Sequence, residues 1–325
     1  MRATKGDVPV LVTGGAGFIG SNLVAALAAD GTRVRVLDDI STGSMANLRD
    51  VADDVEVMVG DIRAPDQVRR AMDGVDTIYH LAALPRVARS VADPFGTHLV
   101  NVNGTLNVLV AARDTGVRRV VFASSSSVYG DTPMLPKHED MAPWPQSPYA
   151  ASKLAGEGYC RAFSNVYGVE AVSLRFFNVF GPRQDPTGEY ATAVPRFISR
   201  LLAGEPPTIF GDGKQSRDFT HIDNVVRACR LAADAPPHVA GEAINVGCGE
   251  RTSLLELIGL MNDIIGTSIE PEFADPRPGD VRDTEASVDR ARDLLGYAPE
   301  VDLRDGLERT VEWFAREAPV LGGTG

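Results

Sequence analysis

Tyr149 and Lys153 stand four residues apart in the run Tyr149-Ala-Ala-Ser-Lys153, and on a helix that spacing puts both side chains on one face. An ammonium held beside a phenol stabilises phenolate and draws the tyrosine towards neutrality. That makes a general base for a hydroxyl proton lost as hydride leaves. A solvated helix face uses the same spacing, so the pair needs company. Ser124-Ser125-Ser126-Ser127-Val128-Tyr129-Gly130 follows an apolar run at the end of a candidate strand, where open α/β sheets place ligands, and a serine there could bridge a substrate hydroxyl and the tyrosine. A polar turn or cap is the other use of such a run.

A third group is Gly14-Gly15-Ala16-Gly17-Phe18-Ile19-Gly20, which lies between a strand candidate and a helix candidate. Gly14 permits the tight turn, Gly17 the approach of backbone to a pyrophosphate, and Gly20 close packing of helix on strand. The N–H groups opening the helix, at Phe18 and Ile19, then bind phosphate. Asp38 follows Gly20 by 18 residues at the end of the second strand candidate, placed to accept hydrogen bonds from an adenosine ribose. Its carboxylate would repel a 2′-phosphate, so the loop and Asp38 together point to NAD.

The elements that must position these groups alternate. Short apolar runs at 8–13, 33–38, 55–60, 77–82, 119–123 and 169–177 are separated by helical stretches at 20–30, 65–72, 94–115 and 149–167, the pattern of a doubly wound parallel sheet. Residues 133–148 carry five prolines and read as a loop. Beyond Asn178 the texture becomes rich in Gly and Pro, with helical stretches at 194–203, 223–235 and 254–266 and two more around Gly296. Residues 1–178 are therefore expected to form a cofactor domain, with the chain returning to it near 219–247, and 179–325 a smaller lobe.

The formal net charge of −12, spread along the chain, leaves no footprint for nucleic acid, and no long uncharged apolar run suggests a membrane span. Cys160, Cys229 and Cys248 lack metal-ligand or Cys-x-x-Cys spacing and read as reduced thiols of a cytoplasmic protein. His80, His98, His138, His221 and His238 show no ligand spacing either, so no metal is expected.

At these residues the sequence resembles the extended short-chain dehydrogenase/reductase family, in particular its nucleotide-sugar epimerases and dehydratases. The matching segments run through nearly the whole chain: 13–20, Asp61-Ile62, Leu81-Ala82-Ala83, 103–105, 124–130, 147–153, 175–182 and 211–221. The resemblance implies an α/β, Rossmann-type doubly wound parallel sheet with a smaller C-terminal substrate-binding lobe. It implies Asp61 and Ile62 beside the adenine, Leu81, Ala82 and Ala83 along the cofactor cleft, and Ser125, Tyr149 and Lys153 as the catalytic set. It further implies Asn178 and Arg217 on a sugar diphosphate, Arg277 as a second cation, Ser126 and Asp280 with the substrate, and a homodimer pairing helices 94–115 and 149–167 through Ala150, Ala151, Ala155 and Gly156.

The reaction implied is epimerisation at carbon 4 of a nucleotide-diphosphate sugar through a 4-keto sugar. Dehydratases of the family carry Asp-Glu after the catalytic Ser or Thr, and decarboxylases keep a carboxylate at the second of those positions; here both are serine, Ser126 and Ser127. A dehydratase or decarboxylase is the alternative, and a non-catalytic dinucleotide-binding regulator a second one. Thr284 resembles the position limiting pocket size, and Arg86 and Arg89 could meet a sugar carboxylate or lie on a loop surface.

Overall fold

The valine- and isoleucine-rich runs become strands of one sheet in the computed structural model, which describes residues 8–187, 192–276 and 281–321. They are β1 (Val10–Thr13), β2 (Val34–Asp38), β3 (Val55–Val59), β4 (Thr77–His80), β5 (Arg119–Ser125), β6 (Glu170–Phe176) and β7 (Ala243–Val246). Their order is β7-β6-β5-β4-β1-β2-β3, and every neighbouring pair is parallel. Helices on both faces explain why these strands are apolar on both sides. One apolar cluster joins α1 (Phe18–Ala29) to the sheet and to the helix Ile222–Asp234, and a second lies under α2 (Pro65–Ala71) and the helices Thr105–Thr115 and Pro148–Tyr167.

The stretch expected as one helix from 94 to 115 is divided. A short α3 (Val87–Ala92) precedes α4 (Pro94–His98), a π-helical turn Leu99–Gly104, and α5 (Thr105–Thr115). The break has local causes. Gly104 lies where a Cβ would meet the Ile62 side chain at 2.5 Å, and the Thr105 hydroxyl bonds the Asn101 carbonyl at 2.6 Å. Such π turns recur at functional sites. α6 (Pro148–Tyr167) then carries Tyr149 and Lys153, starting at Ser147, whose side chain accepts from the Ala150 N–H.

Past β6 the chain builds its third apolar cluster, around Phe180, Ile198, Ile209, Leu257, Leu307 and Phe314, from α7 (Ala193–Leu202), α9 (Leu254–Ile265) and α11 (Leu303–Leu321). Between them α8 (Ile222–Asp234) returns to the sheet, as does α10 (Asp289–Leu295), through Ala291 and Leu295. Within the expected return at 219–247, α8 packs on the sheet and β7 joins it, while Thr220–His221 pairs with Val179–Phe180. Among the described residues no helix is long and apolar enough to cross a membrane. The three cysteines are free thiols, two of them buried.

Two of the small residues expected on an outer face of α6 point inwards. Ala150 is buried, and a Cβ on Gly156 would lie 2.4 Å from the Phe122 ring of β5, closer than real contacts come. Gly156 thus lets α6 lie flat on the sheet.

Candidate active site

The order of the sheet reverses between β1 and β4, and the loops after those strands face one crevice. Gly14, at φ +72°, presses against the β4 loop so closely that a Cβ would lie 2.6 Å from the Ala82 nitrogen. A Cβ on Gly20 would overlap the Gly14 carbonyl oxygen, so the turn and α1 can meet only through glycine. Gly17 caps α1 with extended backbone and without a side-chain bond, which leaves the N–H groups that open the helix, Phe18 and Ile19 included, without a capping side chain among the described residues. This cradle fits a pyrophosphate.

Asp38 ends β2 with its carboxylate bound to the loop itself: one oxygen accepts from Ala16 N at 2.9 Å, the other from Ile40 N at 2.8 Å. Burial raises its pKa and the two N–H groups oppose the rise. A carboxylate oxygen accepts more than one bond, so ribose hydroxyls still find acceptors there. Asp61 is held by Arg63 through a bidentate pair, which keeps its carboxyl below the usual range. Ile62 is buried beside Gly104, with its carbonyl bonded by Asn107 at 3.0 Å. Leu81 and Ala82 hang from Thr13, through its carbonyl at 3.1 Å and its hydroxyl at 3.3 Å, and Ala83 continues that half-buried segment.

Ser125 closes β5 and caps the short turn Ser126–Tyr129, accepting from Ser127 N at 3.1 Å. Its side chain also lies near enough to the Tyr149 phenol to oppose the upward push of burial on that group. Lys153 lies below, with Nζ 5.9 Å from the Tyr149 ring centre and donating to the Ala123 carbonyl at 2.7 Å. In this geometry the ammonium is directed at a main-chain oxygen, and burial dominates the phenol. Burial likewise lowers the Lys153 ammonium to about 8, against the field of Glu157.

On the far side of the crevice Asn178 is exposed and accepts from the Thr284 hydroxyl at 3.1 Å. Arg217 is aimed by two main-chain oxygens, those of Ser216 and Arg282, at 2.9 and 2.8 Å. Its neighbour Asp218 is buried and accepts from Cys248 N, Gly249 N and Ala286 N at 2.8 to 3.1 Å, so one carboxylate ties three segments behind Arg217. Ser126 is half-buried in its turn. Arg277 and Asp280 lie outside the described residues. Arg86 starts α3 at φ +87° and is half-buried; Arg89 is exposed.

Sequence reasoning missed the polar groups under the site. Glu157, one turn beyond Lys153, is buried between the Ser124 hydroxyl at 2.5 Å and a bidentate Arg175 at 2.7 and 2.9 Å. Arg175 in turn stacks 4.8 Å from the centre of the Tyr129 ring. The Lys153-to-Glu157 spacing was the available signal. Asn101 binds both N–H and C=O of Leu84 and the Ser152 hydroxyl, and Ser90 accepts from Tyr149 N at 3.0 Å.

A family model described as NAD dependent epimerase/dehydratase family matches residues 10–247. A UDP-glucose 4-epimerase of Mycolicibacterium smegmatis is 45% identical over 312 residues, covering 95% of this chain and 99% of its own length. The solved UDP-N-acetylglucosamine 4-epimerase of Methanobrevibacter ruminantium, in complex with UDP-N-acetylmuramic acid, superposes with a TM-score of 0.91 at 37% identity, over 96% of this chain and 99% of the other. The UDP-glucose 4-epimerase of Thermus thermophilus, in complex with NAD, gives 0.86 at 38% identity over 97% and 100%. The chain belongs to the NAD-dependent epimerase/dehydratase family and is an NAD-dependent enzyme of its nucleotide-sugar 4-epimerase class.

Proposed function

We propose that the chain interconverts carbon-4 epimers of a UDP-linked hexose, N-acetylhexosamine or hexuronic acid in the cytoplasm, by way of a 4-keto sugar that stays bound. The observation that carries this reading is the hydroxyl-only turn beside the base. Ser125 lies beside the Tyr149 phenol, and the next two positions, Ser126 and Ser127, hold no carboxylate that could act at carbons 5 and 6. NAD held by the Gly14–Gly20 turn and Asp38 would supply the hydride acceptor and donor for carbon 4.

Tyr149 takes the 4-hydroxyl proton while Ser125 holds that oxygen and the phenol in one hydrogen-bonded line. Lys153 keeps a positive charge near the developing phenolate. Arg217 and Asn178 retain the diphosphate while the keto sugar turns its opposite face to the cofactor cleft, and Tyr149 returns the proton. Small Thr284 beside Asn178 leaves room for a substituent at carbon 2. UDP-glucose, UDP-N-acetylglucosamine, UDP-glucuronate and dTDP-glucose, each incubated with the NAD-loaded enzyme and followed by proton NMR and mass, should give an isobaric carbon-4 epimer from at least one UDP-sugar. A product lighter by water or by carbon dioxide would instead assign a dehydratase or decarboxylase.

We further propose a homodimer about a twofold axis beside α6. Val91, Phe95 and Val166 are 65%, 72% and 69% exposed on α3, α4 and α6, apolar side chains that a second copy paired along α6 would cover. Sedimentation should give twice the chain mass, and Phe95→Asp should halve it; a wild-type monomer at micromolar concentration would remove the proposal.

A further inference from the structure

His80 ends β4, is 1% exposed, and bonds at both ring nitrogens. Its Nε2 lies 2.9 Å from the Thr105 hydroxyl oxygen, and its Nδ1 lies 2.7 Å from that of Thr13. The proton positions follow by elimination. Thr105 spends its single hydroxyl proton on the Asn101 carbonyl at 2.6 Å, so towards His80 it can only accept, and Nε2 carries the proton. Nδ1 is then the acceptor, and it takes the Thr13 hydroxyl proton, while the Thr13 oxygen accepts from Ala82 N.

One directed chain of hydrogen bonds therefore runs from Ala82 N–H through Thr13, His80 and Thr105 to the Asn101 carbonyl. It continues through Asn101, whose side-chain amide donates to the Ser152 hydroxyl at 3.1 Å, and Ser152 donates to the Tyr149 carbonyl at 2.7 Å. Towards one end lies Thr13, the residue before Gly14, where the dinucleotide turn begins; the other end is the first turn of α6. Thr13, His80, Asn101, Thr105 and Ser152 are each no more than 4% exposed, so water offers none of them a substitute partner.

We propose that His80, as the neutral Nε2–H tautomer, is a positioning residue that fixes the distance between the dinucleotide turn and Tyr149. A protonated imidazole would turn Nδ1 into a second donor and break the bond from Thr13. The surroundings oppose protonation: burial lowers the imidazole to about 3, and the Lys153 ammonium pushes the same way. An apolar ring would fill the space beside Phe122, 5.7 Å away between centroids, but would join neither threonine.

The proposal rests on Tyr149 as the base, and its first test does not use activity. In the 15N-histidine-labelled, NAD-loaded chain, long-range 15N–1H spectra should show His80 with a protonated Nε2 and a bare Nδ1, unchanged from pH 5 to 9. A protonated Nδ1, or titration near the ordinary histidine value, overturns the assignment. Thr105→Val and His80→Phe should each lower kcat about tenfold and leave KM for the nucleotide sugar unchanged. Each should also raise the fraction of bound cofactor left reduced, read by its fluorescence. Thr105→Ser should restore both readouts, and the double variant His80→Phe/Thr105→Val should lose no more than either single one, because all of them cut the same chain. Wild-type kcat in Thr105→Val, or losses that multiply in the double variant, overturns the positioning role. Loss of the wild-type product in every assay, with the tautomer as stated, would count against the base and not against His80.

Discussion

Tyr149→Phe should lose turnover by a factor between about a hundred and ten thousand while binding NAD as tightly as the parent chain. The range is what a positioned acid–base group contributes to proton transfer. The phenol oxygen is the part of Tyr149 that faces Ser125, whereas its main-chain N–H and C=O are what Ser90 and Ser152 hold. Removing one oxygen therefore leaves α6 seated and the glycine turn untouched. Titration calorimetry for NAD and a coupled assay for epimer formation check the two halves separately. Parent-like turnover in the phenylalanine variant would rule out the phenol as base.

Glu157→Ala should be the most damaging change away from the reacting groups, at a cost of about 3 to 5 kcal/mol, the usual result of stripping a buried charge of its partner. Arg175 would keep its charge at 4% exposure, and its Nη1 is already without a bond among the described residues. The pairing with Glu157 holds the Arg175 guanidinium above its ordinary range despite burial, so losing its proton is no escape. A fall in melting temperature of about 10 °C is the expected reading. Glu157→Leu combined with Arg175→Met should melt higher than Glu157→Ala alone, because no charge is left stranded. An unshifted melting temperature in Glu157→Ala would mean the pair contributes nothing net.

The site divides into what local pattern can reveal and what only contact can. Gly14, Gly17 and Gly20 were legible because a strand-to-helix turn with glycine at those positions has few physical uses, and Asp38 because it ends the neighbouring strand. Tyr149 and Lys153 were legible through helical spacing. The strands could be read because burial on both faces makes their apolar runs continuous. The division of residues 94–115 was not legible: the π turn answers to Ile62 and His80, far away in sequence, and no periodicity within the segment encodes them. Ala150 and Gly156 were assigned to an outer face for the same reason, since small size alone does not say whether the neighbour is another chain or Phe122. Glu157, Arg175 and Asn101 resemble ordinary surface residues until β5, β6 and the β4 loop close over them.

The wiring of β7 sets a timetable for synthesis. The sheet's outer strand lies beyond α7 and α8 in the chain, so β6 keeps one edge of unpaired N–H and C=O groups until Val246 has left the ribosome. By then the glycine turn, Ser125 and Tyr149 have all been made. A nascent chain halted before Ala243 would carry every residue of the candidate catalytic set and still expose a strand edge open to a neighbouring chain.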